Sequence, residues 1–265
     1  MSSDLESLKS LIDHLEESIK YIKITRWYLP ARAILSLIFF VILGSVVSSI
    51  ITEDIMDKLP PAISGDIYME IDIAILKWPV FAVTLSECLI LALVIRYLIF
   101  KPTGFFFEIN TISRRANKLA FLASITLIAF QPLYAVLAHA MINGTLVVKI
   151  PFGGKMIIES QYTGFEYYLM LTNFLTSIPN FMAFLSLYYL LKEFETILAQ
   201  RVRLRKSYRL ILLAGIFGLM GQLPSIGGLL NICSYALIVA SSFTVYSGLN
   251  KVVDIIENLW IEEAY

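Results

Sequence analysis

The sequence predicts an all-α integral membrane bundle with six transmembrane helices, an amphipathic cytoplasmic N-terminal helix and a small extracytoplasmic β-hairpin or sheet. The first observation is composition: the 265 residues are 58% hydrophobic and 16% charged, whereas soluble domains average about 45–50% apolar and about 25% charged residues. The second is a series of apolar runs, and the third is a concentration of basic residues in alternate loops. This composition excludes an ordinary cytosolic enzyme, a disordered tail and a secreted disulfide scaffold.

Residues 1–30, which we call the head, are predicted to form the cytoplasmic amphipathic helix. Ser3 and Glu6 have the spacing of a capping box. Apolar residues then recur at three- and four-residue steps, which places them on one stripe of a helix. The stripe consists of Leu5, Leu8, Ile12, Leu15, Ile19 and Ile22. The acid-rich start is unlike a cleaved signal peptide, so we expect the first apolar run to remain as an anchor.

A membrane domain is predicted over residues 31–247, because a bilayer core needs about 20 apolar residues per helix. The six predicted spans are 31–51, 78–100, 118–142, 165–191, 207–223 and 227–247. The fifth is the shortest. It either spans with its basic entrance reaching to the membrane surface, or forms a re-entrant hairpin with the sixth. Its Gly215, Gly218 and Gly221 predict close approach of another helix.

The distribution of Lys and Arg predicts the orientation, because cytoplasmic loops are enriched in these residues. Five of the 21 lie in or beside the head, five near the loop after the second span, six after the fourth span and one in the tail. Only Lys58, Lys77, Lys149 and Lys155 lie in the other set of loops. We therefore expect a multi-pass protein of the cell membrane with both termini in the cytoplasm.

The two long outer loops, 52–77 and 143–164, carry the β signals. Residues 67–75 alternate between apolar and other side chains, the period of a half-buried strand. Two β-rich runs, 146–150 and 156–159, flank a Gly-Gly turn and predict a hairpin. Because an isolated hairpin is marginal in water, we expect residues 67–73 to pair with it in a small extracytoplasmic sheet.

Asn143 belongs to the only glycosylation sequon, Asn143-Gly144-Thr145, and lies in the second outer loop. Two interpretations stay open. Asn-Gly is a common turn and could simply end the third span, or Asn143 could carry a sugar.

Residues 248–265, the tail, form a second amphipathic segment. Its apolar stripe consists of Leu249, Val252, Val253, Ile256, Leu259 and Trp260. The head and tail stripes predict packing of the two segments against each other. Docking of a cytoplasmic partner or an oligomer mate is the first alternative, and attachment to the membrane surface is the second.

The densest basic run, which we call the basic patch, lies between the fourth and fifth spans. Its members are Arg201, Arg203, Arg205, Lys206 and Arg209. The orientation rule together with attraction to anionic lipid, about 1 kcal/mol per basic residue, explains such a run. Contact with the phosphate backbone of a nucleic acid is the alternative. No aromatic residues are interleaved in the run, which disfavours stacking on single strands.

A polar layer is predicted inside the membrane. Glu87 is the one acid in the middle of a span, and Gln131 and Asn173 reach a similar depth, roughly 12–15 Å below the outer surface at 1.5 Å per residue. We expect Gln131 or Asn173 to donate a hydrogen bond to Glu87. Asn180 continues a polar stripe on the fourth span. The layer serves interhelical bonding, an ion or substrate path, or an oligomer interface.

Chemistry outside this layer is sparse. His14 and His139 are the only histidines, Cys88 and Cys233 lie in apolar runs, and no P-loop, metalloprotease or dinucleotide motif occurs. We therefore expect no catalytic residue, cofactor or metal.

The layout and residue style are similar to a known family. Isoleucine fills roughly one position in seven while glutamine and cysteine are scarce, a bias that fits a thermophilic archaeon. The head, six spans, outer β-loops and basic inner loops resemble the polytopic subunit of the crenarchaeal DNA-exchange (Ced) system. The similarity covers nearly the whole chain but rests on no diagnostic motif. It implies DNA translocation driven by a separate cytoplasmic ATPase, since this sequence has no P-loop.

Three functions follow as expectations. The first is a non-enzymatic membrane subunit of a translocation or channel complex, with lipids, other membrane subunits or further copies of itself, a cytoplasmic ATPase and nucleic acid as partners. The second is a small-solute, ion or proton carrier that works through Glu87. The third is a structural or sensory membrane protein that reads the outside through its β-loops.

Overall fold

The computed structural model describes residues 14, 16–58, 67–110, 113–150, 157–160, 164–198, 202–221 and 227–264, most of them helical. The helices are α1 (16–25), α2 (Tyr28–Lys58), α3 (Lys77–Ile95), α4 (Lys101–Asn110), α5 (Arg114–Ala129), α6 (Gln131–Met141), α7 (Gly164–Ile197), α8 (Arg205–Met220) and α9 (Gly227–Ala264). A 3-10 turn, Ile73–Leu76, precedes α3, and a π-helical segment, Arg96–Phe100, joins α3 to α4.

Within the described residues, five helical stretches are long and apolar enough to cross a membrane. They are Glu16–Asp54, Ile73–Glu108, Arg114–Met141, Met170–Ile197 and Leu229–Asn258. Many of their large apolar side chains point outward; Phe40 is 76% and Ile232 70% exposed. Outward apolar surface on this scale suits a lipid solvent rather than water. The prediction of a multi-pass helical protein compatible with a membrane is confirmed to this extent.

The predicted fifth span, 207–223, differs from the other five. α8 has 16 residues, which give a length of about 24 Å against a hydrocarbon core of about 30 Å. It is therefore not among the five membrane-length helices. The helix begins after Leu204, which is not helical, and its C-terminal cap is Gly221.

Several helices extend beyond the predicted spans. α2 continues to Lys58, inside the predicted outer loop. α3, the π-helical segment and α4 follow one another without a break from Lys77 to Asn110. The predicted tail is the last part of α9. Apolar runs mark where the hydrocarbon ends, whereas a helix continues as long as its backbone hydrogen bonds do.

The third predicted span is two helices rather than one. α5 ends at Ala129, and α6 begins at Gln131 after a turn at Phe130. Pro132 explains the break, because a proline lacks the N–H group that a helix interior requires but fits the first turn. Gln131 therefore lies at the start of a helix and not in the middle of one.

The three strands form one antiparallel sheet in the order β1 (Ile67–Asp72), β2 (Thr145–Ile150) and β3 (Ile157–Ser160). Ile67 lies opposite Ile150, and Asp72 opposite Thr145. β2 pairs with β3 from Leu146–Ser160 to Lys149–Ile157. The sequence predicts that residues 67–73 pair with the hairpin, without specifying the strand; in the structure they pair with β2. The Gly-Gly segment between β2 and β3 lies outside the described residues.

The chain divides into two compact units. Unit 1 contains residues 1–34, 91–127 and 177–265, and unit 2 contains 35–90 and 128–176. The core of unit 2 includes Ile73, Val80, Ala138, Ile142 and Tyr168, with exposed fractions of 5% or less.

Unit 1 contains the whole of α8 and α9, and small residues bring these helices together. Ser234 Oγ donates to the Ala214 carbonyl at 2.7 Å, and Asn231 Nδ2 donates to the Gly221 carbonyl at 3.0 Å. A Cβ atom added at Gly218 would lie 3.1 Å from Ser234 Oγ. The close approach expected at these glycines is therefore present, and glycine allows the backbones to come near enough to bond.

Gly215→Ala is expected to destabilise the protein by about 1–3 kcal/mol, the usual cost of overpacking. Its new Cβ would lie 2.9 Å from Phe181 Cδ2 and 3.2 Å from Phe184 Cδ2. Gly44→Ala is the matched control, because no described atom lies within 4 Å of the added Cβ. The control should be neutral or gain about 0.5–1 kcal/mol. Unfolding of both variants in mixed micelles measures this, and equal stabilities would contradict the packing.

Candidate functional site

A group of residues in unit 2, which we call the polar cluster, consists of Thr84, Glu87 and Cys88 on α3, Tyr134 on α6 and Tyr168 on α7. Thr84, Glu87 and Cys88 have the three- and four-residue spacings that place side chains on the same side of a helix. Cys88 is fully buried and Glu87 is half-buried. Glu87 is the acid that the sequence predicts in the middle of a span.

Two tyrosines from other helices of unit 2 complete the polar cluster. The Tyr134 hydroxyl, from α6, contacts the Cys88 thiol and lies within electrostatic range of Glu87 and Tyr168. The Tyr168 hydroxyl, from α7, faces Thr84 and Cys88. Both rings are 0% exposed. The cluster therefore gathers a carboxyl group, a thiol and three hydroxyl groups from three helices.

The hydrogen bonds of this cluster are incomplete within the described chain. Tyr134 Oη and Tyr168 Oη are buried there without a hydrogen bond of standard geometry. Thr84 directs its own hydroxyl to the Val80 carbonyl at 2.9 Å. An unsatisfied buried donor costs about 1–3 kcal/mol. Such a cost is commonly accepted where polar groups serve a purpose other than packing.

The predicted polar layer is only partly assembled. Gln131 does not donate to Glu87, because its Nε2 is buried and has no partner among the described residues. Asn173 is exposed on α7. Asn180 is 9% exposed, with Oδ1 unpartnered within the described part of the chain, and belongs to unit 1, whereas the other three belong to unit 2.

The sequence analysis names Cys88 only as a residue in an apolar run, and it does not point to Thr84, Tyr134 or Tyr168. Helical spacing could have indicated two of them, since Thr84 lies one turn before Glu87 and Tyr134 one turn after Gln131. Tyrosine in an apolar run is also a normal core residue, so the pattern alone does not separate the two roles.

Asn143 takes part in the turn that follows α6. Lys77 Nζ donates to its Oδ1 at 2.8 Å, and Gly144 has φ 126°. Ile73 N then donates to the Gly144 carbonyl at 3.0 Å. Only glycine adopts such a φ readily, so the turn interpretation accounts for the Asn-Gly pair. Glycosylation of Asn143 stays a prediction.

The basic patch lies around the start of α8, in unit 1. Arg203, Arg205, Lys206 and Arg209 are exposed, while Arg201 lies outside the described residues. Two of the four, Arg203 and Lys206, line an open groove of about 550 Å³. We call this the α8–α9 groove. Its lining residues are Val202, Arg203, Lys206, Ser207, Phe243, Thr244, Ser247, Gly248 and Lys251.

The head and tail contact each other, as predicted for simple packing. Arg26 NH1 donates to Asn250 Oδ1 at 2.6 Å, and its guanidinium carbon lies 4.8 Å from the centre of the Tyr246 ring. Lys23 Nζ and Glu257 Oε1 form an ion pair of 3.1 Å. The apolar residues of this region are buried as well, among them Ile22, Leu249, Val252 and Val253. Residues 1–13 of the head lie outside the described part.

Arg26→Met is expected to destabilise the contact between head and tail by about 2–4 kcal/mol, because it removes a hydrogen bond to a charged group and a cation–π contact. Lys23→Met is the matched control. Its ion pair has both side chains nearly half exposed, 46% and 45%, and such pairs contribute about 0–1 kcal/mol. Hydrogen exchange of residues 246–258 measures the difference, and equal exchange in both variants would contradict it.

No group of three or more metal-binding side chains is placed to hold a metal ion in the described ranges. The chain matches no protein-family model, no curated protein and no solved structure.

Proposed function

We propose that the protein is a non-enzymatic, six-span membrane subunit of a translocation complex, with both termini in the cytoplasm. Five membrane-length helices support insertion. In this proposal α8 provides the sixth crossing, because Arg205, Lys206 and Arg209 at its start can extend their charged ends to the headgroups. An even number of crossings keeps seventeen of the 21 basic residues on the cytoplasmic side.

The observation that carries the proposal is the exposure of Asn173. It lies within the membrane-length part of α7 but is not covered by the described chain. Its apolar neighbour Phe174 is 43% exposed and Met170 is 46% exposed. Because lipid tails offer an amide no hydrogen bond, such side chains usually face other protein. A second membrane subunit, or another copy of this chain, would cover Asn173.

The basic patch supports the other half of the proposal. Arg203, Arg205, Lys206 and Arg209 present four exposed cations within seven residues. Exposed cations of this density suit the phosphates of a nucleic acid or an acidic surface of a motor protein. The resemblance to the crenarchaeal DNA-exchange subunit favours DNA as cargo and a separate ATPase as the motor.

Asn173→Leu is expected to dissociate the complex, because the variant removes the polar group that a partner helix satisfies. Native purification in mild detergent, followed by mass measurement, tests this. The wild-type chain should elute in an assembly larger than the monomer, and the variant should shift toward the monomer. Ser86→Leu is the control: Ser86 is also exposed, but its hydroxyl is satisfied by the Ala82 carbonyl at 2.8 Å.

The same preparation identifies the motor. An ATPase should co-purify with the wild-type chain and be lost when residues 1–25 are deleted. A wild-type chain that elutes as a solitary monomer contradicts the proposal, and so does an Asn173→Leu assembly of unchanged mass.

A proton, ion or small-solute carrier is the second candidate, and the polar cluster favours it. The half-buried Glu87 lies within electrostatic range of the buried Tyr134 hydroxyl, which lacks a standard hydrogen bond in the described chain. Ionisable groups inside a membrane commonly mark proton or substrate paths. In this candidate Glu87 exchanges the proton or binds the cation, and Tyr134 donates to it.

Glu87→Gln is expected to abolish carrier flux in liposomes, because the amide neither releases a proton nor carries a negative charge. Tyr134→Phe should slow the flux by about tenfold or more, consistent with the loss of one hydrogen bond to a charged group. Ser86→Ala, on the same helix, should leave flux unchanged. Equal flux in Glu87→Gln and wild-type liposomes would remove the carrier function.

A further inference from the structure

The α8–α9 groove brings cations together from two helices and the segment before them. Arg203 precedes α8, Lys206 lies in its first turn, and Lys251 lies on α9. All three are exposed. None is ion-paired to another described residue, and no acidic residue lines the groove within that part of the chain. The groove therefore concentrates uncompensated positive charge at one place.

Hydroxyl groups lie among these cations. Ser207, Thr244 and Ser247 line the same groove, and Ser207 is 4% exposed. Leu204 precedes α8 and provides no side-chain cap, and the first turn of α8 has no acidic residue. The positive end of the helix thus adds to the charge of the lysines and the arginine. Cations combined with hydroxyl donors are the chemistry that binds a phosphate group.

One wall of the groove is apolar and open. Phe243 lines it and is 74% exposed, and it lies in the membrane-length part of α9. Lys251 lies eight residues later on the same helix, about 12 Å along its axis. A ligand that contacts both therefore has an anionic end and an apolar end separated by roughly that distance.

We propose that the α8–α9 groove binds the phosphodiester headgroup of an anionic membrane lipid. The phosphate lies among Arg203, Lys206 and Lys251, and an acyl chain runs along Phe243. The inference rests on the membrane insertion of the proposed function but not on its partners or cargo. It also divides the basic patch, because Arg205 and Arg209 do not line the groove and stay available to cargo or motor.

Nucleic acid fits the groove less well than lipid. A duplex presents phosphates in long rows and is held by many cations in sequence, whereas this groove contains three. An exposed phenylalanine beside the cations has no partner on a phosphate backbone. Basic pockets between membrane helices, by contrast, commonly hold anionic headgroups.

The test uses the full-length protein in mild detergent, titrated with phosphatidylglycerol, phosphatidylcholine, inorganic phosphate or a short DNA duplex. Binding is followed by the melting temperature and by native mass spectrometry. Phosphatidylglycerol should bind and raise the melting temperature, and phosphatidylcholine should not. The double variant Lys206→Gln/Lys251→Gln should weaken phosphatidylglycerol binding about thirtyfold. The control Arg209→Gln should stay within about twofold of the wild type.

Phe243→Ala separates the sources of the phosphate. It should weaken long-chain phosphatidylglycerol but leave the affinity for inorganic phosphate unchanged. Equal binding of both lipids, or equal loss in the control and double variants, would overturn the proposal. Stronger binding of inorganic phosphate than of lipid, or loss of DNA binding alone in the double variant, would also overturn it. An absent ATPase partner would contradict the proposed function without affecting this result.

Discussion

The central constraint on this protein is that hydrocarbon cannot form hydrogen bonds. Each long helix satisfies its own backbone and exposes apolar side chains, which is why Phe40 and Ile232 can point outward. The same constraint makes every polar side chain inside the spans conspicuous. Most serine and threonine hydroxyls in the helices bond a carbonyl three or four residues earlier, as Thr126 does with Leu122. Among the described residues that local bonding does not satisfy are Asn173, Gln131, Asn180 and the buried Tyr134 and Tyr168.

These unsatisfied groups differ in where they point. Tyr134 and Tyr168 are buried in unit 2, where Tyr134 lies within electrostatic range of Glu87, whereas Asn173 is exposed. A buried polar side chain can serve transport within one chain, whereas an exposed polar side chain in a span requires a second protein to bond it. The two candidate functions correspond to these two positions. They need not exclude each other, because a complex can contain a subunit that also moves ions.

Much of the fold follows from local sequence patterns. Long apolar runs predicted the five membrane-length helices of the described residues, and alternation around residues 67–75 predicted β1. Whether α8 is long enough to span a membrane could not be predicted, because hydropathy gives the length of the apolar run and not the length of the helix that contains it. The polar cluster was less predictable: Glu87 is visible as a lone acid, but its neighbours are set by packing of α3, α6 and α7. Predicting that packing requires knowing how the helices rotate about their axes, which single-sequence hydropathy does not specify.

α9 has a mechanical consequence. It is one unbroken helix of 38 residues, about 57 Å long. It carries the contact with the glycines of α8 near its start, then Phe243, the Arg26 partners Tyr246 and Asn250, Lys251, and toward its end the Lys23 partner Glu257. Because α9 is one continuous helix, a shift of one end displaces the sites along the rest of it. A displacement of the last turns would therefore be transmitted along the helix to the part that contains Phe243.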